Sequence, residues 1–287
     1  MSHQDGENHL QPLIRSADPA RFFAAQFIPG PQRADILTLY AFDLEIAKIA
    51  RTTREPMAGE IRLQWWREVF QGERDAEAAA SPLANTMLDL TRRHTISPDV
   101  LGHYLDGCIF DLYDDAIEDQ QGFEAYAGQT DGTILQLSCL VLDRARSAQA
   151  AELSGYLACM LSLWHRVIRP LLTDRTDAQT RAARYLPPQI CEAAGMSANP
   201  FLQSQSADQS QAIQQICAFA ESYRQRAIKA AAAVPATLRP AFLQLAPVTI
   251  QLAKATRLSR RNGPAADIST AHLIWHLWRA SKRWPCF

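Results

Sequence analysis

Apolar residues recur at helical spacing along almost the whole of this 287-residue chain, and nothing else constrains its fold as strongly. Ile36, Leu37, Leu39, Tyr40, Leu44, Ile46 and Ile49 advance in steps of three and four, which lines them up on one side of a helix. Leu157, Met160, Leu161, Trp164, Val167 and Ile168 repeat the pattern later in the chain. Alternating β-branched runs are nearly missing, so strands are not expected. Breaks fall at Asp18-Pro19, Pro29-Gly30-Pro31, Ser81-Pro82, Ser97-Pro98 and Leu186-Pro187-Pro188. A serine before proline offers a side-chain acceptor to orphan helix N–H groups, and proline lacks the N–H that a first helical position would leave unpaired. The expected fold is all-α, a single bundle of roughly ten or more helices over 18–287, without a linker and preceded by a loosely ordered stretch 1–17. Gln71 to Ala80 reads as a surface loop and Gln203 to Gln215 as a polar helix.

A hydrophobic content of 47% with only 12 Gly supports a sizeable core. The formal net charge of −1 gives no bulk attraction to nucleic acid, and no nucleic-acid partner is expected. Cys108, Cys139, Cys159, Cys191, Cys217 and Cys286 form no CxxC pair and lack zinc-type spacing to histidine, so they read as small buried hydrophobes of a reducing compartment. Residues 1–11 are polar, with Asp5 and Glu7 but no arginine, unlike a signal or transit peptide. No run of 18 apolar residues suggests a membrane span.

Three constellations carry chemistry worth weighing. Asp111, Asp114, Asp115, Glu118 and Asp119 would place 111/115 and 115/119 as i, i+4 pairs on a helix; they read either as a solvated acidic face or as a displaced metal site. His272 and His276 share a helix face, but neither they nor His165 has a third ligand nearby in sequence, so no zinc or catalytic histidine is expected. Near the C-terminus Trp275 and Trp278 stand beside Arg279, Lys282 and Arg283. That mixture suits an amphipathic helix lying in a lipid headgroup layer; the other reading packs the tryptophans into the bundle under snorkelling basic heads.

Several segments in order resemble the squalene/phytoene synthase family: Arg21 to Pro29, the Tyr40-Ala41-Phe42 helix, Arg51 to Trp66, Tyr126 to Gly132, and Arg184-Tyr185-Leu186-Pro187. The resemblance implies the isoprenoid-synthase helical fold and two carboxylate-bearing helices that hold Mg²⁺ against diphosphate. At the matching positions this chain has Ala47 and Arg51 in the first helix, and Arg166, Pro170 and Asp174 in the second. Only Asp174 retains a carboxylate, and alanine, proline or a guanidinium cannot ligate a hard cation. Pro170 is also expected to kink or end its helix. Catalytic residues, and a bound metal, are therefore not expected.

The likeness within the family is to the branch of respiratory complex I assembly factors, carried by FDLEIAKI, EIRLQWW, YAGQTDGTILQL, RYLPPQIC and the aromatic-basic end. It implies a non-catalytic protein that works with complex I subunits or assembly intermediates. Its implied place is the membrane surface, on the cytoplasmic side of a bacterial inner membrane or the matrix side in mitochondria. The inherited cavity would be lined by Phe22, Phe27, Tyr40, Phe42, Trp65 and Trp164, with Arg51 and Arg166 at its mouth to hold an anion where metal sat. Arg54, Arg62 and Arg67 either join them or pair with Glu45, Glu55, Glu60 and Glu68 along helix faces. Two alternatives stay open: a prenyltransferase whose Mg²⁺ is held by displaced acids around Asp111 to Asp119 and Asp174, and a non-catalytic binder of a prenyl lipid or diphosphate.

Overall fold

The computed structural model describes residues 3–172, 178–196, 209–259 and 269–287, and no strand occurs among them. The helices run in chain order as α1 (His3–Ala17), α2 (Pro19–Ala25), α3 (Gly30–Thr52), α4 (Pro56–Gln71), α5 (Asp75–Ala80), α6 (Pro82–Arg93), α7 (Pro98–Ile109) and α8 (Gln120–Ala127). They continue as α9 (Thr133–Leu142), α10 (Ala151–Ser162), α11 (Arg169–Leu172), α12 (Ala178–Arg184), α13 (Pro188–Ala193), α14 (Gln209–Ala230), α15 (Leu245–Ser259) and α16 (Thr270–Ser281). The punctuation works as local chemistry requires. Ser81 Oγ accepts from Ala84 N at the start of α6, Ser97 Oγ from Asp99 N at the start of α7, and Asp18 from Arg21 N at the start of α2. Gly72 ends α4 in the left-handed region at φ 81°, a conformation that costs a side-chain-bearing residue more.

Contacts between the helices divide the chain into two compact units. Met1–Asp114, Thr133–Gln149 and Pro235–Gln244 form the first; Asp115–Gly132, Ala150–Val234 and Leu245–Phe287 form the second. Neither is contiguous in sequence, which is why composition shows no linker.

In the first unit α3 packs against α1, α4, α6 and α9, and α4 against α7. Phe42 is fully buried and meets Trp66, Phe70 and Tyr104 at ring-centroid distances of 5.0, 5.5 and 5.4 Å. Aromatic pairs at these separations add to the burial term that dominates the core. The stretch expected to be loosely ordered up to residue 17 instead contains α1, whose Leu10 and Ile14, one turn apart, join this core. Part of Gln71 to Ala80 is likewise helical, as α5.

In the second unit α10 packs on α8, α14 and α15, and α16 lies on α15. Two helical turns here are widened to π geometry, at Gly128–Gly132 and Leu163–Ile168. The second bears directly on Pro170. Arg169 N–H donates to Trp164 O, five residues back, and the helix continues through Pro170 to Leu172. A wider turn immediately before the proline accommodates its missing donor, and the course of the chain beyond Leu172 lies outside the described residues. Five of the six cysteines are buried, and Cys286 is half-buried. Burial pushes the thiols of Cys159 and Cys191 up to about 12 and about 11 respectively, which keeps them protonated.

Candidate functional site

Ala47 and Arg51 sit one turn apart on α3, on the opposite side from Glu45 and Ile49. Ala47 is half-buried. Arg51 is exposed in the last turn, where a cation suits the helix dipole. Pro170 is half-buried in α11, and Asp174 lies outside the described residues. The Mg²⁺ that the family employs therefore has no fit at 47, 51 and 170, because none of these side chains supplies an anionic oxygen. Among the described residues no three His, Cys, Asp or Glu side chains converge to hold a metal ion. The acidic run does not supply a replacement: α7 ends at Ile109, Phe110–Leu112 is a 3-10 turn, and 113–119 is not helical. Neither the acidic helix face nor the i, i+4 pairs form. Asp114, Asp115, Glu118 and Asp119 are exposed, and Asp119 caps α8 by accepting from Gly122 N at 2.7 Å.

A carboxylate on α3 is nevertheless put to use. Arg21, 4% exposed, donates through Nη1 to Asp43 Oδ2 and through Nε to Gln244 Oε1 at 3.0 Å. Its guanidinium lies 5.2 Å from the Tyr40 ring centroid. Gln244 Nε2 donates to Tyr40 Oη at 3.0 Å, and Tyr104 Oη donates to Asp43 Oδ1 at 2.7 Å. Burial is the chief cause that raises the phenol pKa of both tyrosines; the Asp43 charge adds to it at Tyr104. The network ties α2, α3, α7 and residue 244 together within the first unit. Sequence reasoning missed it. The available signal was an arginine inside the apolar Phe22-Phe23 stretch, which must find an anion if buried.

In the second unit Arg166 is half-buried, donating through Nε to Tyr126 Oη and lying 5.6 and 6.0 Å from the Tyr126 and Tyr185 ring centroids. Arg51 and Arg166 belong to different units. Asp131, 6% exposed in the Gly128–Gly132 π-turn, accepts from Ser162 Oγ at 2.6 Å, with His165 Nδ1 at 3.9 Å. This pairing joins two stretches that the sequence presented only as separate likenesses.

The remaining candidates take different places. Phe22, Tyr40 and Phe42 are buried in the first unit's core, and Trp164 is buried in the second unit. Trp65 lines an open groove of about 470 Å³ in the first unit with Leu10, Leu13, Ile49 and Leu83, and Arg62 stands on its rim. Arg62 lies 3.5 Å from Glu45, while Arg67 pairs with Asp106 at 2.5 Å rather than with a helix-face glutamate. On α16, Leu273 and Leu277 are buried, whereas Ile274, Trp275 and Trp278 are 42%, 48% and 54% exposed. The tryptophans therefore do not pack inward. Arg279 lies 4.8 Å from the Trp275 ring centroid, and Lys282 and Arg283 are exposed.

These helices, and the pattern of segments along them, place the chain in a known class: it belongs to the squalene/phytoene synthase family, whose signature matches residues 14–278. Its curated relatives include "NADH dehydrogenase (ubiquinone) complex I, assembly factor 6" of Bos taurus, 25% identical over 240 residues, covering 81% of this chain and 68% of that protein. The Homo sapiens protein of the same name is 23% identical over 260 residues, covering 88% and 74%. Among solved structures, a dehydrosqualene synthase in complex with ligand superposes with a TM-score of 0.71 at 14% identity over 98% of both chains. YisP from Bacillus subtilis superposes at 0.61 with 15% identity over 95% of this chain and 96% of that one. These superpositions establish the isoprenoid-synthase-like helical fold.

Proposed function

We propose that this protein is a non-catalytic member of its family that assists the assembly of respiratory complex I. The observation that carries the reading is the likeness to complex I assembly factor 6, which extends over 81% to 88% of the chain in the four mammalian relatives. The side chains at 47, 51 and 170 support it, since neutralising a departing diphosphate needs clustered cationic charge held by carboxylates. On this reading no Mg²⁺ is required, and the helical shell serves as a scaffold for complex I subunits or assembly intermediates.

The protein works at a membrane surface, on the cytoplasmic side of a bacterial inner membrane or the matrix side of a mitochondrial one. No described helix is long and apolar enough to cross a bilayer. The outward Ile274, Trp275 and Trp278, with Arg279, Lys282 and Arg283, suit the headgroup layer, and Thr270 to Phe287 contains no acid to repel anionic lipid. The test is deletion and complementation in the source cell. Loss of assembled complex I on deletion, rescued by this chain, is the expected result; unchanged complex I on deletion overturns the reading.

A further inference from the structure

Most large apolar side chains of the first unit are buried, but three of its exposed ones gather at one place. Leu13 on α1 is 47% exposed, and Met57 and Ile61 on α4 are 74% and 65% exposed. Met57, Ile61 and Trp65 fall four residues apart, so they run as one stripe along α4 to the edge of the groove of about 470 Å³. Leu13 lines the same groove, over a floor that includes the buried Leu10, Ile49 and Trp66. The groove opens on the Glu45 and Ile49 side of α3, away from Ala47 and Arg51, so it is separate from the degenerate metal positions.

Its two ends carry opposite excess charge. At one, Glu45 lies 3.5 Å from both Lys48 and Arg62, two cations around one carboxylate. At the other, Arg74 bonds Glu68 at 2.7 Å and Glu77 at 2.8 Å, two carboxylates around one cation, and Glu77 also accepts from Trp65 Nε1 at 2.7 Å. We propose that this groove docks one amphipathic helix of a partner protein, with acidic side chains toward Lys48 and Arg62 and basic ones toward Glu68 and Glu77. The inference rests on the assembly reading, which supplies the class of partner: a complex I subunit or assembly intermediate.

Shape and charge select this occupant over the others. An apolar groove takes a helix through anchors at i, i+3, i+4 and i+7, and exposed Leu13, Ile61 and Met57 extend the contact beyond the groove itself. The helix dipole agrees with the charged ends: the partner's N-terminus gains beside Glu68 and Glu77, and its C-terminus beside Lys48 and Arg62. An anionic lipid surface would meet the excess negative charge at Glu68 and Glu77, whereas Thr270 to Phe287 presents it with no acid. A second copy of this chain needs roughly 20–30 residues a side for a standard interface, and eleven line the groove.

The full chain carrying Ile61→p-benzoylphenylalanine, photolysed in the source cells, should crosslink to one segment of a complex I subunit or assembly intermediate, with apolar residues recurring at three and four. A synthetic peptide of that segment should bind the purified wild-type chain in fluorescence anisotropy, and at least tenfold more weakly to Leu13→Glu and to Ile61→Glu. Exchanging the acidic and basic residues at the peptide's two ends should also weaken binding to the wild type. Both substituted positions are exposed, so the unfolding midpoints should stay put. Crosslinks confined to lipid, to a second copy of this chain or to proteins unconnected with complex I overturn the proposal, as does the absence of any. A peptide that binds both variants like the wild type, or that ignores the charge exchange, overturns it too. Complex I lost on deletion of the protein but normal with Leu13→Glu and Ile61→Glu combined overturns the docking groove and leaves the assembly reading standing; complex I unchanged on deletion overturns the assembly reading itself.

Discussion

Removing the Arg21 guanidinium should do more damage than any surface change, and the loss can be worked from its contacts. Its side chain is 5% exposed and that of Asp43 is 18% exposed, so Arg21→Met leaves a largely desolvated carboxylate supported by the Tyr104 hydroxyl. Gln244 Oε1 loses its guanidinium donor at the same time. Breaking a buried pair from one side costs about 3–5 kcal/mol, and the methionine chain refills only part of the arginine's volume. At about 2–4 °C per kcal/mol the unfolding midpoint should fall by roughly 6–12 °C at the lower bound of that cost. The companion Asp43→Asn keeps an acceptor for Tyr104 and takes from the arginine its closest anion, leaving Asp18 at 3.6 Å from Nε. The double variant removes both charges of the 21–43 pair and should recover part of the loss, because the desolvated carboxylate at 43 is gone, although Asp18 still lacks the guanidinium. Urea unfolding followed by circular dichroism, with calorimetric midpoints, measures all four corners of the cycle. A loss below about 1 kcal/mol for Arg21→Met, or a double variant no better than the worse single one, would refute the account of a charge pair holding α2 to α3.

The unaltered chain should release no diphosphate from farnesyl or geranylgeranyl diphosphate with Mg²⁺ above a heat-killed control; release above that control would end the non-catalytic reading. Arg51→Glu should leave the fold intact, costing under about 1 kcal/mol because an exposed last-turn cation only complements the helix dipole; lowered complex I in cells with an unchanged melting midpoint would mark Arg51 as an anion site, and normal levels would dismiss that role. Trp275→Ala with Trp278→Ala should abolish pelleting with anionic vesicles, and salt should release the wild-type protein as the Debye length shrinks to ~3 Å at 1 M; unchanged pelleting by the double variant would exclude this face as the anchor. His276, held below its ordinary 6.5 chiefly by burial, favours the neutral form in the folded chain, so its contribution is present above 6.5 and lost as pH falls through the lowered pKa. Protection factors of the α16 amides, taken relative to the intrinsic exchange rate at each pH, should therefore fall below pH 6.5 in the wild type and change less in His276→Gln; identical profiles would show that His276 does not govern them.

The helical class was legible because apolar residues repeat at three and four along most elements, and period is a property of sequence alone. Ser81-Pro82 and Ser97-Pro98 marked helix starts for the same reason: a cap acts within three residues. The absence of carboxylates at Ala47, Arg51 and Pro170 was equally plain, since side-chain identity alone decides whether Mg²⁺ finds an oxygen ligand. Other features needed tertiary structure. Arg21 meets Asp43 across 22 residues and Gln244 across 223, and no local pattern announces such a partner. The acidic run satisfied helical spacing on paper, but the chain leaves α7 at Ile109 and the spacing has no helix to act on. In α16, Leu273 and Leu277 compete with Ile274, Trp275 and Trp278 as apolar faces. Periodicity showed both stripes, and packing on α15 decided which was buried. Sequence determines which residues share a helix face; which face meets protein, and which charge meets its counterpart, depends on contacts between elements distant along the chain.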